Sequence, residues 1–105
     1  MNKTMTYRQG DVLLMRVKNI PQAATTKPSE NGLVILAHGE ATGHHHSLPG
    51  ADVDWFTLGA NQFVLVKSPT QLTHQEHAPI DLAPGRYQAI RQREYTPEAI
   101  RNVQD

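Results

Sequence analysis

Cysteine is absent from this 105-residue chain. That excludes a disulfide framework and any thiolate metal site. A bound metal would have to take nitrogen and oxygen ligands. An excess of charge of either sign is also missing, because ten Lys and Arg balance ten Asp and Glu. The strongly basic face that usually marks general nucleic-acid binding is therefore not signalled. No apolar run reaches the roughly 18 residues of a membrane-spanning helix. The segment Met1-Asn2-Lys3-Thr4-Met5-Thr6-Tyr7 lacks the apolar core of a signal peptide. These absences lead to the expectation of a soluble, cytoplasmic protein with no membrane partner. Long amphipathic helical patterns between strands are missing too, which argues against a doubly wound α/β fold. The length fits one domain, taken as residues 1–105.

What is present is a series of short apolar runs separated by turn residues. Asp11 to Val17 and Leu33 to Ala37 are apolar on both parities and read as strands covered on both faces. Asn31-Gly32 is a turn signal before the second of them. Asn19 to Asn31, with Pro21 and Pro28, reads as a loop. His44 to Leu48, Val53 to Leu58 and Phe63 to Val66 read as further strands, and Ser68-Pro69 ends the last of these. Gln71 to His74 and His77 to Leu82 extend briefly. Arg86 to Tyr95 is the last strand. Thr96, Pro97 and Glu98 resemble an N-cap and first turn, opening a short C-terminal tail to Asp105. About seven or eight short strands at this turn spacing predict an all-β fold, a small single-domain barrel or sandwich.

Histidine is concentrated. Five of the six lie in Gly43-His44-His45-His46-Ser47 and His74-Gln75-Glu76-His77, and only His38 stands outside. Histidine is the commonest metal-ligating side chain. In a strand of period two, His44 and His46 share one face and His45 takes the other. A turn or bulge after Thr73 would bring His74 and His77 together. The candidate ligands are therefore His44, His46, His74 and His77, and the cofactor is a divalent ion such as Zn, Ni, Fe(II), Mn or Cu(II). Three protein ligands leave a position open for water or substrate, whereas four close the site. Glu76 is a candidate ligand, a partner that orients an imidazole, or a general base, and Glu40 is the other candidate acid. His38, ending an apolar strand, reads as structural. Arg91, Arg93 and Glu94 read as a charged strand face.

Gly39 and His44-His45-His46 resemble the opening of the first motif of the cupin superfamily. Pro69-Thr70-Gln71-Leu72-Thr73-His74 keeps the proline-to-histidine spacing of the second motif. The glutamate of the first motif is replaced by Pro49-Gly50, and the glycine of the second by Gln71. The resemblance implies a double-stranded β-helix barrel with His44, His46 and His74 as metal ligands. Glu40 or Glu76 would then stand in for the lost carboxylate. Gly39-Glu40-Ala41-Thr42-Gly43-His44-His45-His46 also looks like a motif of small uncharacterised proteins of bacteria and their phages, a likeness that implies no activity.

Three functional readings follow. One is a non-catalytic metal-binding or assembly module, in which an ion shared across a symmetry axis would join a homo-oligomer. A second is a metal-dependent enzyme acting on a small molecule, with Glu76 or Glu40 moving protons. The third is a protein-interaction module of a phage or mobile element that uses the last strand and the C-terminal tail.

Overall fold

The computed structural model describes residues 6–39 and 43–91. Glu40 and the segment from Thr96 to Asp105 lie outside these residues. Ten strands are formed: β1 (Thr6–Gln9), β2 (Val12–Arg16), β3 (Thr25–Lys27), β4 (Leu33–His38), β5 (His45–Pro49), β6 (Val53–Leu58), β7 (Asn61–Val66), β8 (Thr70–Leu72), β9 (Ile80–Leu82) and β10 (Gly85–Arg91). Among the described residues there is no helix. The fold is all-β, as expected.

Six strands form one antiparallel sheet in the order β1-β2-β10-β7-β6-β3, while β4-β5 and β8-β9 are separate hairpins. The hairpins are stitched to each other by reciprocal backbone bonds between Ser47 and Thr73, each 3.0 Å. The sheet and hairpins close over one core. The sheet contributes Val12, Leu14, Val53, Trp55, Val64, Val66 and Tyr87, and the hairpins contribute Val34, Leu36, Leu48, Leu72 and Leu82. Of the two architectures expected, this is the sandwich; the sheets do not close into a barrel.

Three hairpin turns set the registers. Asn31 and Gly32 have φ of 52° and 81°, and Glu30 and Leu33 exchange both backbone hydrogen bonds across them. Positive φ at both central residues is the geometry that favours Asn-Gly. Gly59-Ala60 joins β6 to β7, with Leu58 opposite Asn61. Gly10-Asp11 joins β1 to β2, with Gln9 opposite Val12 and Gly10 at φ 60°.

Several expected boundaries shift. The segment expected to be all loop contains β3, whose three residues are all exposed. Its strand state comes from pairing with β6 rather than from an apolar pattern. β1 was not expected, because only Gln9 of its four residues is buried. β5 starts at His45 rather than His44, and β9 starts at Ile80 rather than His77. β10 is described only to Arg91. It lies between β2 and β7, so β1 and β3 are the edges of the large sheet.

Candidate metal centre

The histidine site is built where β5, the β8–β9 connection and the β1–β2 turn meet. A register shift between Ile35 and Ala37 places Ala37 opposite His46 and His38 opposite His45. His46 is 2 % exposed and its neighbours Ser47 and Leu48 are also buried, so this strand is anchored in the core. The Ser47–Thr73 bridge brings the residues after β8 alongside it. Gln75 Oε1 accepts a 2.8 Å hydrogen bond from the His45 backbone N–H and ties the connection down further.

Four imidazoles gather there. Ring centroids are 4.4 Å apart for His46 and His74, 4.6 Å for His74 and His77, 5.6 Å for His44 and His74, and 5.8 Å for His46 and His77. A tetrahedral ion with Zn–N bonds of about 2.0–2.1 Å holds its imidazole centroids roughly 5 Å apart. Four of the six ring pairs lie near that spacing, while no group of three or more His, Asp or Glu among the described residues is arranged to hold an ion. One obstacle is visible. His74 Nδ1 accepts the Glu76 backbone N–H at 3.0 Å. In neutral His74 the proton is then on Nε2, so ligation through Nε2 requires that bond to open.

His46 is held differently. Gln9 donates both amide hydrogens, to the carbonyls of Leu72 and Ala78, at 2.9 Å each. Its Oε1 is therefore the atom facing His46 Nδ1 at 2.9 Å, and Nδ1 must be the donor. In the neutral ring Nε2 then carries a lone pair. That nitrogen faces Asp11 Oδ1 at 3.3 Å. The other carboxylate oxygen of Asp11 accepts from Arg91 Nε at 3.1 Å, and Arg91 Nη2 donates to the His38 carbonyl.

The electrostatics follow from this packing. Burial pushes His46 down to about 4; the neighbouring His74 and His77 rings add to the shift and Asp11 opposes it. Burial also lowers His74, followed by the influence of His77 and His44. For Asp11, burial favours the neutral acid, but the hydrogen bond and charge of Arg91 outweigh it and the net shift is downward. His46 and His74 therefore tend towards neutral imidazoles beside an ionised Asp11, the protonation state that metal ligation needs.

The remaining candidates occupy the margins. Glu76 is 68 % exposed and its Oε2 lies 3.5 Å from His44 Nδ1. His45 faces away and pairs edge-on with His38 at 6.3 Å between centroids. Its Nδ1 is buried without a hydrogen-bond partner. Gln9 and Asp11 were not among the sequence candidates. Gln9 becomes noticeable only once β1 is known to pair with β2, because a polar residue then occupies an inward position. Arg91, read as part of a charged strand face, proves to be the partner of Asp11.

A family model described as Domain of unknown function (DUF8820) matches residues 8–92, from β1 to the end of β10. No curated protein matches the chain. No solved structure matches it either.

Proposed function

The chain belongs to the DUF8820 family, and we propose that it binds a divalent metal ion through His44, His46, His74 and His77. The observation that carries this reading is the convergence of four imidazoles from two distant segments at ligand-like spacing. Chance surface histidines have no reason to meet in this way, and like-charged imidazolium rings would repel. Zn, Ni and Fe(II) suit imidazole ligands, and Mn would need an oxygen donor beside them. A non-catalytic binding or assembly role is favoured over catalysis.

The enzymatic alternative draws on Glu76. Its exposed carboxylate beside His44 is placed to exchange protons at the rim of the cluster. Glu40, the other candidate acid, lies outside the described residues.

Metal content of the untagged protein, measured by elemental mass spectrometry, tests the reading. Wild type should carry near-stoichiometric metal after purification or after zinc loading and desalting, and His46→Ala/His74→Ala should carry none. Metal-free wild type under both conditions would refute the proposal. A ratio of one ion to two or three chains would indicate a site shared between copies.

A further inference from the structure

The contact between His46 Nε2 and Asp11 Oδ1 is unusual for an ion pair. A charge-assisted N–H···O bond is typically about 2.7–2.9 Å long, and this one is 3.3 Å. Two donors bound to the same tetrahedral ion at about 2.0–2.1 Å lie roughly 3.3 Å apart. The Gln9 bond commits the Nδ1 proton and turns the Nε2 lone pair towards the carboxylate. Two acceptors then face each other, and the space between them needs a cation. A proton would satisfy the pair alone. Two further imidazoles beside it are what a metal requires and an added proton does not. The His77 and His46 rings both abut Gly10, where a Cβ would lie 2.9 Å from His77 Nε2 and 3.1 Å from His46 Cε1. Asp11 is the next residue in that turn.

We propose that Asp11 is itself a metal ligand, binding through Oδ1 beside His46 Nε2, with the His74 and His77 rings next to His46 as further donors. This rests on the metal-site reading above and deepens it. Arg91 holds Oδ2, which orients the carboxylate for binding through a single oxygen, as outer-shell partners of ligating carboxylates do. Gln9 plays the corresponding part for His46 by fixing its tautomer. The site then combines a hard oxygen donor with imidazoles, and the anion offsets one charge of the ion.

Zinc affinity measured by chelator competition, together with Co2+ absorption spectra, tests this. Asp11→Asn should weaken zinc binding by about tenfold or more, since even outer-shell changes cost 10–100-fold. Asp11→Cys is decisive because the chain has no cysteine of its own. A sulfur-to-cobalt charge-transfer band in the near-ultraviolet should appear when Co2+ binds this variant, and should be absent from wild type. Circular dichroism confirms that each variant is folded. Wild-type binding with no such band from Co2+-loaded Asp11→Cys, or undiminished zinc affinity in Asp11→Asn, would overturn the role of Asp11 while leaving the histidine site intact. Failure of wild type to bind Zn2+ or Co2+ would overturn both proposals.

Discussion

His46 is the residue on which the site turns, because it belongs at once to the core and to the cluster. Gln9 satisfies two carbonyls and the His46 ring together. Gln9→Leu would leave these buried groups unpaired, at a cost of about 2–3 kcal/mol, measurable by urea denaturation. The loss should be accompanied by weaker zinc binding, since the His46 tautomer is no longer fixed. Acid should act on the same residue. The unfolded chain takes up the His46 proton near 6.5, whereas the folded protein resists until about 4. The unfolded state thus binds more protons in this window, and stability falls as pH drops through it. The His46 contribution lost is about 3 kcal/mol, since each pK unit corresponds to about 1.4 kcal/mol. Asp11, whose carboxyl is lowered in the folded state, also contributes stability above its unfolded value, and that contribution is lost on acidification. Urea midpoints of metal-free protein measured from pH 7 to pH 4 should therefore decline steadily, and a flat profile would contradict the buried, neutral His46.

At the scale of elements, the β1–β2 turn links core to site. Gly10 adopts φ 60°, which costs a residue with a Cβ about 1–2 kcal/mol. The added Cβ of Gly10→Ala would also press on His77, an exposed ring that can move away, and lie 3.1 Å from the buried His46 ring, which must give slightly. The expected outcome is a modest loss in thermal stability with a larger loss in zinc affinity. Equal retention of affinity would show that His77 does not need its place against the turn. Leu48, fully buried in β5 two residues after His46, tests the opposite coupling. Leu48→Ala should cost about 2–5 kcal/mol in a denaturation experiment.

The elements also explain what could be read in advance. Asn31-Gly32 and the apolar runs of β2, β4, β6 and β7 announced themselves through turn chemistry and composition. β3 carries only Thr25, Thr26 and Lys27, all exposed, and no local pattern marks a strand held by its partner alone. β1 was hidden for the same reason, and Gln9 and Asp11 with it. The histidine segments were legible as residues. Their meeting was not, since it depends on one Ser47–Thr73 bridge between hairpins with no sequence signature.

For the whole molecule, one core joins a six-stranded sheet to two hairpins, and the candidate centre lies where all three layers of connection meet. Among the described residues β10 is flanked by β2 and β7, and β1 and β3 lie at the edges of the large sheet. A metal at this junction would tie the β1–β2 turn, β5 and the β8–β9 connection together and should stabilise the entire domain. The most direct measurement is the thermal midpoint of metal-free protein with and without Zn2+ at 100 times its dissociation constant. Mass action at that excess supplies about 2.7 kcal/mol, which in a domain of this size corresponds to a rise of roughly 10 °C or more. His46→Ala/His74→Ala should show no such rise. An unchanged wild-type midpoint with Zn, Ni, Fe(II) and Mn alike would contradict the metal site.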